Sequence, residues 1–134
     1  KSQCHCMTMR RASKAVTDFY DAKLAACGVT VVQFGLLRRI GNLDDPSVTE
    51  LANAMELERS TLVRTLRPLF DAGLIEDRAA PGTRNRQLRL TRAGEKVADK
   101  GTRLWNQAQQ ELEQKVGSGA RTVVHALLGT LPTG

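Results

Sequence analysis

"SVTELANAMELERSTLVRTLRPLFDAGLI", residues 47–75, holds two short amphipathic segments with a break between them, and the reading of that break decides the fold. Ser47 and Glu50 have the spacing of a capping box, in which the serine oxygen accepts from the N–H three residues on and the glutamate reaches back. A short helix is therefore expected to start at Ser47, with Val48, Leu51, Ala52 and Met55 facing inward. "MELER" is too short and polar for anything but a turn. A further helix follows from about Arg59 to Ala72, with Leu62, Leu66 and Leu69 at helical spacing and Gly73 at its end. Two short helices around a tight turn, the second rich in Arg, Ser and Thr, make a helix-turn-helix. Pro68 removes one backbone donor and predicts a bend late in the second helix.

Working outward, "LIEDR" (74–78) and "NRQLRLT" (85–91) read as two strands about the turn "AAPGTR" (79–84), a basic hairpin beside the helix pair. Such a hairpin is a wing. Before it, Met9, Ala12, Val16, Phe19, Tyr20, Leu24 and Cys27 recur at helical spacing from about Cys6 to Cys27, and a second helix runs from about Val31 to Ile40. After the wing, a helix from about Arg92 to Val116 carries Val97, Gly101, Leu104, Ala108, Leu112 and Val116 on one stripe. Beyond "GSG" (117–119), Val123, Val124, Leu127, Leu128 and Leu131 mark a last helix. The expected class is mainly α with a small β-hairpin wing. Residues 1–134 form one domain, 29–94 being the winged lobe (wing about 75–91), with 1–28 and 95–134 as dimerisation helices. The end helices carry more apolar stripe than so small a lobe can cover, which points to a second copy of the chain.

The chain has 134 residues, 41% of them apolar, and 20 Lys+Arg against 14 Asp+Glu give a net charge of +6. An excess of that sign suits an anionic partner, nucleic acid first, and by charge alone suits a generic basic surface equally. No apolar run approaches the roughly 20 residues that span a bilayer, so a soluble, cytoplasmic protein without a membrane partner is expected. No cofactor motif is present. The three cysteines cannot all pair within one chain, and no CxxC lies beside a βαβ pattern, which argues against a small thiol oxidoreductase.

The order helix, helix, helix-turn-helix, wing and two further helices resembles the MarR family of dimeric bacterial transcription regulators. The residues that carry the resemblance are Thr49 to Ile75, the wing Glu76 to Gly94, and the ending L-T-x-x-G at Leu90 to Gly94. In the wing, the family's Asp-x-Arg falls on Gly82, Thr83 and Arg84, so the arginine is kept and the aspartate is replaced. The resemblance implies a homodimer on a double-stranded DNA operator, with the second helix of the pair in the major groove. Ser60, Thr61, Val63, Arg64 and Thr65 then point to base edges: Arg64 suits a guanine and Val63 a thymine methyl. Arg59 and Arg67 suit phosphates, as does Ser47 with the free amides of its helix. Arg84 and Arg86 are placed toward the minor groove. Two such helices about 34 Å apart imply a pseudo-palindromic site. An architectural protein binding without a preferred site is the competing DNA-binding reading.

"CMTMRRASKAVTDFY", Cys6 to Tyr20, is similar to the first helix of the family's organic-hydroperoxide (OhrR-type) branch. Cys6 falls at that branch's reactive cysteine and Tyr20 at one of the tyrosines that bond to it, while its other two tyrosine positions carry Arg10 and Val31. Independently, a thiol near a helix N-terminus with Arg10 and Arg11 close by is expected to favour thiolate and react with peroxides and electrophiles. Cys4, or a cysteine of a partner subunit, could resolve the product. Cys4, His5 and Cys6 are also soft ligands, so a metal or metalloid effector is an alternative, as is a small aromatic molecule. Cys27, on the apolar stripe, reads as a structural thiol.

Overall fold

The computed structural model describes residues 3–83 and 86–132. α1 (His5–Leu24) is followed by a tight 3₁₀ turn, Ala25–Cys27, and then α2 (Val31–Asn42), α3 (Val48–Met55) and α4 (Arg59–Asp71). Strands β1 (Ile75–Asp77) and β2 (Leu88–Leu90) precede α5 (Arg92–Val116) and α6 (Ser118–Thr130). The two strands pair antiparallel, Ile75 opposite Leu90 and Asp77 opposite Leu88. The expected class, mainly helical with a hairpin wing, is the class observed.

Several boundaries differ from the sequence reading, and the strands shorten from 74–78 and 85–91 to Ile75–Asp77 and Leu88–Leu90. α1 gives way to the 3₁₀ turn at Ala25 instead of running to Cys27, and α2 continues two residues past Ile40 to Asn42. The "GSG" segment is not a loop: Gly117, at φ 76°, is the single break, and α6 begins at Ser118. A side chain is strained at that φ and glycine is not, so a one-residue hinge suffices.

One core is built where the helix pair meets α2. Leu24, Phe34, Leu36, Leu37, Ile40, Leu51, Leu62, Leu66, Leu69, Ile75 and Leu88 are all buried in it. Pro68 lies within α4, which runs through it to Asp71. α5 is long enough to leave this core. Gly101 and Ala108 are buried, but Val116, at its far end, is 53% exposed. No residue of α6 is buried, and of α1 only Tyr20 and Leu24 are. The core therefore takes in Leu24 from the end of α1 and is packed by Val97, Leu104 and Trp105 of α5, while α6 and most of α1 extend apolar surface away from it. Among the described residues, no single helix is long and apolar enough to cross a membrane.

Candidate nucleic-acid interface and the first-helix cysteines

Burial of Leu62, Leu66 and Leu69 fixes the rotation of α4, and that rotation leaves Arg59, Ser60, Val63, Arg64 and Arg67 exposed along its other side. Thr61 and Thr65 sit half-buried at the edge, and the Thr65 hydroxyl donates to the Thr61 carbonyl at 2.8 Å. At the start of α3, Ser47 Oγ accepts from Glu50 N–H at 3.0 Å, and Glu50 Oε1 accepts from Ser47 N–H at 3.3 Å. The capping box read from the sequence is thus formed, with Ser47 half-buried beside the first turn.

The wing leans on α4 across a cleft of about 510 Å³ lined by Arg59, Val63, Arg67 and Phe70 on one side and Asp77, Arg86 and Leu88 on the other. Arg86 Nη1 donates to Asp77 Oδ2 at 2.8 Å, so the guanidinium expected in a minor groove is held at the base of the wing. Asp77 Oδ1 accepts from the N–H groups of Ala79 and Gln87. Partial burial opposes ionisation of Asp77, but the bonds from Arg86, Gln87 and Ala79 outweigh it and hold the carboxyl below its usual value. Arg84 lies outside the described residues. A second pair fastens the wing from behind: Arg89 donates twice to the Asp45 carboxylate, at 2.9 and 2.8 Å. That hydrogen bonding holds the Asp45 carboxyl below its usual value and raises Arg89. Neither carboxylate was singled out by the sequence reading. Each lies far in sequence from at least one of its partners, and only the folded hairpin brings them together.

At the other end of the chain, Cys4 is the N-cap of α1, with extended backbone at φ −68° and ψ 117°, and Cys6 stands in the first turn. Both thiols are exposed. Tyr20 does not meet them within the protomer. Fourteen helical residues at about 1.5 Å each put it about 21 Å from Cys6. Its hydroxyl donates instead to Gln109 Oε1, and burial, with Glu113 nearby, raises its pKa. The alternative metal set is not assembled either: among the described residues no three His, Cys, Asp or Glu side chains converge to hold an ion. Residues i and i+2 at a helix start face different directions, which separates Cys4 from Cys6. Cys27 is half-buried against the core and its thiol donates to the Leu24 carbonyl at 3.2 Å, as a structural cysteine would.

One further site was not read from the sequence. The Arg38 guanidinium lies 4.7 Å from the centre of the Trp105 ring, beside a cavity of about 480 Å³ whose walls include Val31, Phe34, Gly35 and Met55. Trp105 comes from α5 and Arg38 from α2, so helical periodicity within either element gives no sign of the pair.

A leucine-packed helix pair with its polar face outward, flanked by a hairpin wing, defines a winged helix-turn-helix protein of the kind that reads duplex DNA. The MarR family model matches residues 29–84. The structure of the transcriptional regulator MosR from M. tuberculosis in complex with DNA is 31% identical, covering 93% of each chain at a TM-score of 0.79. A second crystal structure of M. tuberculosis MosR is 32% identical over 96% of this chain and 94% of that one, with a TM-score of 0.74. The S. aureus MepR–DNA complex, at 21% identity over 96% of both chains, shares the fold with a TM-score of 0.80. Among curated proteins nothing matches. The chain belongs to the MarR family, and its similar structures are transcriptional regulators, not enzymes.

Proposed function

We propose that the protein is a homodimeric, sequence-specific repressor, working in the cytoplasm on a pseudo-palindromic DNA operator and released from it by oxidation or alkylation of Cys6. The observation that carries the DNA-binding reading is the exposed strip Arg59, Ser60, Val63, Arg64 and Arg67 on a helix whose opposite side is locked into the core. Arg64 and Val63 read base edges, with Ser60, Thr61 and Thr65 beside them, while Arg59, Arg67, the start of α3 at Ser47, and Arg84 in the wing hold phosphate and groove.

Release follows from thiol chemistry at the head of α1. The Cys6 thiolate attacks a hydroperoxide, forming an S–O bond as the O–O bond breaks and the alcohol leaves with a proton. The Cys4 thiol then attacks the sulfenic sulfur, an S–S bond forms, and water departs. Cys4 already stands outside the helix, but closing a bridge to Cys6 requires both side chains to turn toward each other, which unwinds the first turn of α1. Exposure of both thiols and the resemblance of this helix to the organic-hydroperoxide branch support that route. The cavity beside Arg38 and Trp105 supports a second reading, in which an aromatic acid binds there and releases the operator without a thiol.

Duplexes selected from random-sequence DNA on the reduced protein provide the probe. Hydroperoxide is expected to release wild type but not Cys6→Ser, and Cys4→Ser is expected to stop at the sulfenic acid, measured by mass. If Cys6→Ser leaves DNA as readily as wild type with hydroperoxide, zinc, arsenite and aromatic acids alike, the thiol-sensor reading is wrong. A protein that selects no sequence overturns the operator reading in favour of an architectural one.

A further inference from the structure

Asp77 stands at the end of β1, where the wing leaves the body of the protein, and its two carboxylate oxygens have separate tasks. Oδ1 accepts from the N–H of Ala79 at 2.9 Å and from the N–H of Gln87 at 3.0 Å, one on the outgoing and one on the returning segment. The Arg78 N–H also donates to the Gln87 carbonyl at 2.8 Å, so the clasp closes across the hairpin base. Oδ2 holds Arg86 Nη1 at 2.8 Å. The Asp77 side chain is 18% exposed against 62% for Arg86, so the carboxylate is the sheltered partner and the guanidinium the one open to solvent. Both line the cleft that Arg59 and Arg67 share from α4, on the side where phosphate would arrive.

We propose that Asp77 is a positioning residue of the wing that clasps its base and withholds Arg86 from DNA, so that Arg86 reaches a phosphate only when its pair with Asp77 opens. The inference rests on the DNA-binding reading above. Its consequence is selectivity: a duplex that brings a phosphate or a narrow groove up to the wing exchanges one ion pair for another, while a duplex of another shape gains nothing from Arg86. An arginine held by a carboxylate neutralises no DNA phosphate, and the number of phosphates neutralised sets the salt dependence of binding.

Asp77→Asn separates the two tasks, because an amide oxygen still accepts from both N–H groups but carries no charge for Arg86. On a mixed-sequence duplex, the log–log salt dependence of Asp77→Asn is expected to steepen by about 0.9 for each protomer bound. The double variant Asp77→Asn with Arg86→Gln is expected to return to the wild-type slope. Hydrogen exchange in the free protein reads the clasp separately: the Ala79 and Gln87 amides stay protected in Asp77→Asn and exchange faster in Asp77→Ala. An unchanged slope in Asp77→Asn overturns the withholding of Arg86. A gain that persists in the double variant also overturns it, since removal of a repelling carboxylate would then be the whole effect. Equal loss of protection in Asn and Ala variants, or none in either, overturns the clasp. If wild type binds no duplex at low salt, the DNA-binding reading falls and takes the withholding with it, while hydrogen exchange still decides the clasp.

Discussion

Arg64 and Arg67 lie on the same exposed side of α4, and the proposed function assigns them different kinds of contact, each with its own signature. Arg64→Ala is expected to weaken operator binding by about 1–3 kcal/mol and to relax preference at one base pair. Arg67→Ala is expected to weaken all duplexes alike and to lower the salt slope by about 0.9 per protomer. Titration against a set of singly substituted duplexes separates them, and a uniform loss for Arg64→Ala would make it a phosphate contact. Asp45 gives a different kind of test. Its φ of 41° is left-handed, a region asparagine tolerates, so Asp45→Asn removes the charge and keeps the backbone. Arg89 depresses the Asp45 carboxyl, so this contribution to stability is present above the ordinary value of 3.8 and is lost as pH falls through the lower folded value. In denaturant titrations, the gap between wild type and Asp45→Asn is therefore expected to be widest near neutral pH and to shrink below that value. Ser47 was legible because its partner is three residues away. Asp45 was not, because Arg89 is 44 residues away and meets it only after the hairpin has docked.

The elements were legible wherever their signal is periodic, and less so where it is a single contact. Leu62, Leu66 and Leu69 gave α4 its start and its buried side, and the run from Arg92 to Val116 was read to both of its ends. The capping box of α2 has the same three-residue spacing as that of α3, with Gln33 N–H donating to Thr30 Oγ1 and Gln33 Oε1 accepting from Thr30 N–H. Its spacing is as legible in the sequence as that of Ser47 and Glu50. Ser47→Ala is expected to cost about 1 kcal/mol, as a lost N-cap does, in a urea melt. It also weakens DNA binding if the first turn of α3 holds a phosphate. Gly94 is a contact that periodicity cannot show. A Cβ there would stand 2.0 Å from the Leu74 carbonyl oxygen and 3.0 Å from its carbon, both backbone atoms of the segment leading into β1. Backbone cannot step aside as a side-chain tip can, so Gly94→Ala is expected to cost at least the roughly 1–3 kcal/mol of an overpacked site. A melt indistinguishable from wild type would show that α5 and the wing are free to separate.

At the scale of the molecule, the two terminal helices carry a large share of the exposed apolar side chains, beside Val32 on α2, Val63 and Phe70 on α4 and Val116 on α5. Met7 is 57% exposed and Val16 39% on α1, while Val123 at 58%, Val124 at 53% and Leu128 at 64% lie on α6. Full burial of a Val, Leu or Met side chain contributes about 1.5–3 kcal/mol, so covering such a set in two copies is ample to hold a dimer. The buried core draws on Leu24 of α1 and is packed by α5, but no residue of α6 belongs to it. Val124→Glu with Leu128→Glu is therefore expected to give a folded monomer, with wild-type helix content by circular dichroism and half the wild-type mass by sedimentation. Such a monomer still offers one α4 to one half-site. Without the link between two reading heads, its affinity for the full operator is expected to fall about 10²–10⁴-fold, and its salt slope to about half. A double variant that remains dimeric would place the interface elsewhere. One that is monomeric yet binds the operator at full strength would show that a single lobe suffices, and that effector release cannot act through the spacing of two.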